Sequence, residues 1–409
     1  MDSIVLPIRL DRFLRAVGQR AHVIGWTVLV AVLLLLLIRH WPLGPKFASD
    51  FRSFDVWSDY MIEDGFRIDD WFARFSRPER LYLVPMTLMA FLKVSVSETW
   101  QQVWFWLNLL CTGLAVLMLC SAARMLKVSW LPIAAILPLL LVSADFMYWP
   151  HYLLTDNLYA FLIMAGVWWS VFMLTRVDAS LPQRVVQISI AVVLLLLVLF
   201  GRPTSLAYTL AFVVFFLALA LRVDRLRPWQ LAAGFVVVFC LLTIGYATLI
   251  HVYTNTDWMG RSPEIGFLAR FATEGVIVWD RPDMAIAHAS DWLGFAQVYV
   301  VRFVTYWSPY ASTFSIAHLL ANTAITLVFA ATVLTWLLLG RTLSPDASRA
   351  VLLTLLIAFA GAAFHGMLFI DYDWRYRFPV IAPLLLFAMV MLNHAGQILL
   401  PPRWHGAQA

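Results

Sequence analysis

Apolar runs of about twenty residues recur along the whole 409-residue chain, separated by short polar stretches. At 1.5 Å per residue, each run is long enough to cross a ~30 Å hydrocarbon core as a helix. Lipid enforces that conformation, because it offers no partner for backbone N–H and C=O groups. The pattern predicts ten spans: 22–38, 101–121, 130–146, one ending before Arg176, 185–200, 204–221, 229–250, 315–340, 350–370 and 379–394. The run Leu81–Val94 is shorter and carries Pro85, so it is placed as an interfacial helix.

Charge orients these spans. Arg9, Arg12, Arg15 and Arg20 precede the first, and the connections bearing Arg124/Lys127, Arg176/Arg184, Arg222/Arg225/Arg227 and Arg341/Arg349 alternate with uncharged or acidic ones. By the positive-inside rule both chain ends are cytoplasmic, and the two long loops, 39–100 and 251–310, lie outside. Counting Leu81–Val94 as a span would put Arg124 and Lys127 outside and reverse every later loop.

Composition agrees with a multi-pass membrane protein: 62% of residues are hydrophobic, 13% are charged, and the mean hydropathy is +0.81. The net charge of +5 sits at span ends, which argues for topology rather than nucleic acid. Cys111, Cys120 and Cys240 fall inside spans and form no disulfide or zinc-ligand pattern. The first span is read as retained, since no small-residue cleavage site follows Ile38. The chain is expected to be one polytopic all-α domain, 1–409, without repeats.

Chemistry is therefore sought in the outer loops. The expected spans contain no Asp, Glu, Lys or Arg, which disfavours ion-coupled transport. Asp50, Asp55, Asp59, Glu63, Asp64, Asp69 and Asp70 crowd the first loop. Phe51, Phe54, Trp57, Met61 and Ile62 between them predict a helix lying on the membrane, with Asp50 at its start. Asp50 is then either a solvated loop acid or a general base at headgroup depth, with Asp55 second; the remaining acids are read as surface groups. Arg202, in the short turn Gly201–Ser205, either snorkels to the headgroups or holds a phosphate. Arg375 and Arg377, among Tyr372, Trp374 and Tyr376, pose the same choice, and the aromatics are either an interfacial belt or a sugar-stacking surface. Asp156 either orients an acceptor or caps the fourth span. His151 stands beside it, and His365 is either a packed histidine or a site residue. No HExxH, nucleophile-elbow, phosphate-loop or dinucleotide motif appears.

Several short motifs, in this order and on one expected side, resemble those of the GT-C superfamily of polytopic glycosyltransferases. They are Asp50 with Phe54 and Gly65; the run Leu81–Phe91 followed by Trp104–Leu110; Thr155-Asp156-Asn157; Gly201-Arg202-Pro203-Thr204-Ser205; and Trp374-Arg375-Tyr376-Arg377-Phe378-Pro379. The resemblance implies inverting transfer of a sugar from a polyprenyl-phosphate donor to the hydroxyl of a glycan, lipid or protein at the outer face. Asp50 (or Asp55) would be the base, Arg202, Arg375 and Arg377 would hold the donor phosphate, and Tyr376, His151, Asp156 and His365 would contact sugar or acceptor. It calls for no cofactor. Phe51, where many members carry Glu, leaves a divalent metal open. The implied setting is a bacterial inner membrane facing the periplasm, or else the endoplasmic reticulum. The alternatives are a flippase or exporter of a lipid-linked glycan and an O-antigen-type polymerase or ligase.

Overall fold

The computed structural model describes residues 20–48, 50–75, 77–143, 146–147, 149–176, 178–223, 226–256, 263–273, 289–310, 315–368 and 377–399. Among them the protein is helical, with one isolated parallel bridge between Lys46 and Tyr152. The long helices are α1 (Ala21–His40), α5 (Trp100–Met125), α8 (Asp156–Thr175), α9 (Leu181–Leu199), α11 (Pro228–Asn255), α14 (Ile316–Leu339), α15 (Pro345–Met367) and α16 (Phe378–Leu399). The first loop supplies α2 (Phe51–Glu63), α3 (Ile68–Arg74) and α4 (Leu83–Val96). Shorter apolar helices are α6 (Trp130–Ile136) and α7 (Leu139–Val142), separated at Leu137-Pro138, and α10 (Ser205–Ala220). The second long loop contributes α12 (Pro263–Thr273) and α13 (Trp292–Thr305).

Among the described residues, eight helical stretches are long and apolar enough to cross a membrane, with α4 and α5 taken as one continuous stretch from Glu79. The α6–α7 pair and α10 occupy the positions of the expected third and sixth spans. The protein is thus an all-helical multi-pass membrane protein. The chain breaks between α4 and α5 at Ser97, whose φ of 47° lies in the left-handed region, so Leu83–Val96 is a separate helix, as its length and Pro85 predicted.

Burial sorts the helices. α16 is buried along nearly its whole length, and α5, α8 and α15 surround it. α9, by contrast, buries only Val198, and Val185, Val192 and Leu196 point outward. Inside a bilayer such outward apolar residues need no cover, because lipid tails are as apolar as leucine; close packing and interhelical hydrogen bonds hold the inner helices together.

One expectation needs correction. The segment 251–310 is not simply an outer loop. Trp292 pairs with Thr248 of α11 through an indole N–H bond of 3.0 Å, Tyr299 sits against Tyr246 and Phe303 against Phe239. On α15, Tyr299 meets Gly366 and Phe303 meets Phe359. Rising numbers on α13 meet falling numbers on both neighbours, so α13 runs antiparallel between α11 and α15, into the bundle. Its buried face is Phe295, Tyr299 and Arg302, at helical spacing. Hydropathy alone missed it because a fourteen-residue helix carrying Arg302 is too short and polar to score as a span. A charge is buried at the same place, outside the ten expected spans: Arg302 is fully buried beside Tyr246.

Candidate functional site

The starts of α2 and α8 are tied together by the Lys46–Tyr152 bridge. Lys46 N–H donates to the His151 carbonyl at 2.7 Å, and Leu153 N–H donates to the Lys46 carbonyl at 2.9 Å. The two strands run parallel, and four residues beyond the bridge each begins a helix with an aspartate: Asp50 is the N-terminal flanking residue of α2, Asp156 the first residue of α8. The bridge therefore brings two candidate carboxylates to one end of the bundle. Asp50's carbonyl accepts from the backbone N–H groups of Ser53 (3.1 Å) and Phe54 (3.3 Å). The residue is half-buried.

The N-cap position of α8 is Thr155, and Asp156 is the first helical residue. Its Oδ1 pairs with Arg202 Nη1, and both side chains are almost wholly buried, at 1% and 5% exposure. Arg202 accordingly does not snorkel. It points from the Gly201–Thr204 turn, between α9 and α10, onto the start of α8. Isolated, either charge would cost several kcal/mol to bury; paired, they fasten α8 to that turn. Ser205 N–H closes the turn on the Arg202 carbonyl at 2.9 Å.

A line of buried tyrosines leads away from this pair. Tyr159, one turn along α8, lies 5.9 Å from Tyr208 on α10. The hydroxyls of Tyr208 and Tyr306 converge on Gly361, where an added Cβ would come within 2.7 and 2.9 Å of them. Tyr306 stacks on His365 at 5.1 Å and lies under the Arg377 guanidinium at 5.7 Å. Arg377 also donates to the Ser308 carbonyl at 2.8 Å. Beside it opens a cavity of about 360 Å³ whose walls are apolar (Phe235, Phe303, Trp307, Phe329 and Phe359 among them) with Arg377 as its charged residue.

The first loop roofs this end. Phe51, Phe54, Ser58 and Met61 form the buried face of α2, close to the predicted stripe. Gly65, at φ +63°, ends the helix: the N–H of Phe66 returns to the Met61 carbonyl at 2.9 Å, a turn that favours glycine. Val84 N–H bonds the Phe200 carbonyl at 3.0 Å, which anchors the start of α4 next to the Arg202 turn. Asp55 is a brace: Lys93 Nζ on α4 binds its Oδ1 at 2.6 Å and also Asp59 at 2.7 Å. Asp64 pairs with Arg74, and Asp69 and Asp70 with Arg67. Asp55, the second candidate for the base, is thus engaged by Lys93, and Asp59, Asp64, Asp69 and Asp70 all stand in ion pairs.

His151 is buried, and its Nδ1 lies 3.3 Å from Nδ1 of His40 at the end of α1. Burial, together with the positive neighbours His40, Lys46 and Arg39, lowers its pKa from 6.5 to about 4. It is therefore neutral at pH 7 and acts as a packing and hydrogen-bonding group.

Asp50, Asp55, His151, Asp156, Arg202, His365 and Arg377 thus all stand on the same end of the bundle, while Arg375 and Tyr376 lie outside the described residues. The sequence reading missed Tyr159, Tyr208, Tyr306 and Arg302. The detectable signal was weak: tyrosines at 159 and 208 interrupt otherwise aliphatic or small runs one turn inside their helices. Among the described residues no group of three or more His, Cys, Asp or Glu is placed to hold a metal ion. Comparison with protein-family models, curated proteins and solved structures finds no match to this chain.

Proposed function

We propose that the protein is a membrane glycosyltransferase of GT-C type. It moves a sugar from a polyprenyl-phosphate donor to an acceptor hydroxyl at the end roofed by the first loop, facing the periplasm of a bacterial inner membrane. What supports this reading is an apolar cavity walled in part by Arg377, together with a half-buried aspartate at a helix start in the first loop. An isoprenoid chain fits apolar walls, and a guanidinium suits its phosphate.

In this mechanism Asp50 removes the proton from the acceptor hydroxyl as that oxygen attacks the anomeric carbon. The carbon–oxygen bond to the lipid phosphate breaks with inversion. Arg377 stabilises the charge gathering on the leaving phosphate. Arg202 takes a different part from the one the motif resemblance implies: it is committed to Asp156, so the pair holds the ends of α8, α9 and α10 in register. Tyr306 stacks on His365 and packs against the Arg377 guanidinium, which fixes the position of that cation.

The test compares variants in membranes. Asp50→Asn is expected to lower turnover ~10²–10⁴-fold with donor binding retained, and Arg377→Gln to weaken donor binding. Wild-type turnover in correctly inserted Asp50→Asn would remove the base. A second reading, a translocator of lipid-linked glycans, draws on Arg302, a cation buried inside the bundle where transport pathways keep charge. It predicts that Arg302→Gln abolishes movement of intact lipid-linked glycan while no sugar is transferred by any form.

A further inference from the structure

The largest cavity among those described, about 630 Å³, lies at the opposite end of α8, away from the candidate site. It opens between the last turn of α8 and the first turns of α9, at the end that carries Arg176 and Arg184. Its volume falls in the range of small-molecule sites, ~300–1,000 Å³. One side of its wall is aromatic: Trp169, held by an indole N–H bond of 3.0 Å to the Gln187 carbonyl, and Phe172, with the Arg176 guanidinium 5.3 Å above its ring. The other side holds Asp178. Among the described residues no ion pair joins Asp178 to Arg176.

Beside this cavity α9 turns Val185, Val192 and Leu196 outward. The result is a chamber with one cation and one anion at a helix end, next to an exposed apolar helix face.

We propose that this groove is a binding site for a phospholipid with a phosphoethanolamine headgroup. The phosphate pairs with Arg176, the primary ammonium donates hydrogen bonds to Asp178, and an acyl chain lies along the outward apolar face of α9. Opposite charges around one chamber match a zwitterion better than a purely anionic headgroup. A carboxylate also separates ethanolamine from choline, whose quaternary nitrogen has no N–H to donate. The site is independent of the reaction proposed for the other end, and a lipid there would fill the wedge between α9 and the buried helices.

Native mass spectrometry of the delipidated full-length protein tests it, with phosphatidylethanolamine, phosphatidylcholine, phosphatidylglycerol and a polyprenyl phosphate offered separately. Wild type is expected to retain the ethanolamine lipid best. Asp178→Asn should lower that retention about tenfold, to the choline-lipid level, and Arg176→Gln should weaken all phospholipids. Both side chains are exposed at the helix ends, so unchanged thermal stability would show the fold intact. Equal retention of all headgroups by wild type, or an Asp178→Asn variant that binds phosphatidylethanolamine as wild type does, would overturn the assignment. Retention of the polyprenyl phosphate that falls in Arg176→Gln but not in Arg377→Gln would also overturn it, because it would place in this groove a ligand that has no use for Asp178.

Discussion

Asp156 and Arg202 are both visible in the sequence, yet nothing in their surroundings says that they meet. They stand 46 residues apart, on different helices, and no periodicity links them. Each had two local explanations, a cap or an acceptor contact for one and snorkelling or phosphate binding for the other. The pairing replaces the cap and the snorkel with a single buried contact. Removing one partner of such a pair strands the other charge, at a cost of about 3–5 kcal/mol, whereas replacing both with apolar groups is often close to neutral. Arg202→Leu is therefore expected to lower thermal stability in detergent markedly, and Asp156→Leu/Arg202→Leu to recover much of the loss. Equal destabilisation in the single and double variants would contradict the pair.

His151 makes a pH prediction at the same scale. Its pKa is held near 4 in the folded loop against about 6.5 when the loop opens. The open form therefore takes up a proton between those values and the closed form does not. Closure of the loop should be at full strength above about pH 6.5, weaken as pH falls toward 4, and change little below. Amide exchange at Leu153, which bonds the Lys46 carbonyl, should accelerate over that window, and His151→Gln should reduce the response, with His40, also lowered to about 4, carrying the rest.

At the scale of elements, hydropathy was a good guide wherever a helix faces lipid or is uniformly apolar. A helix expected over 81–94 is found at Leu83–Val96, and the apolar stripe of α2 lies close to where its spacing put it. The method failed at α13, where burial against α11 and α15, rather than hydrophobicity, makes the helix an inner one. It also could not see why Gly361 is glycine. The two tyrosine hydroxyls that approach it come from α10 and from the end of α13, and only the assembled bundle brings them there. Gly361→Val is expected to cost about 1–3 kcal/mol by overpacking. Adding Tyr208→Phe, which removes the hydroxyl 2.7 Å from the new Cβ, should restore part of that stability. A Gly361→Val variant as stable as wild type would show that the tyrosines can move aside.

For the molecule as a whole, the division of labour follows from which groups lipid tolerates. Charged side chains gather at the two ends of the bundle, Arg302 being buried on α13, and the ends differ. One carries the roof of α2 to α4, the buried ion pair, the tyrosine line and the cavity bearing Arg377; the other carries short basic turns and the α8–α9 groove. The alternation of basic and acidic connections made this asymmetry legible in the sequence. The shape of each end was not legible, since it depends on contacts between segments far apart in the chain. The chemistry assigned to the roofed end rests on short motifs and on the fit of a lipid phosphate to Arg377 and its apolar cavity. The most direct test is to offer a panel of radiolabelled polyprenyl-phosphate sugars to membranes containing the wild-type protein and to follow the label. Label passing from the lipid into a water-soluble or larger glycosylated product is the predicted result. Donor that binds, or crosses the membrane, but is never consumed would contradict a glycosyltransferase and leave Asp50 as a structural carboxylate at the start of α2.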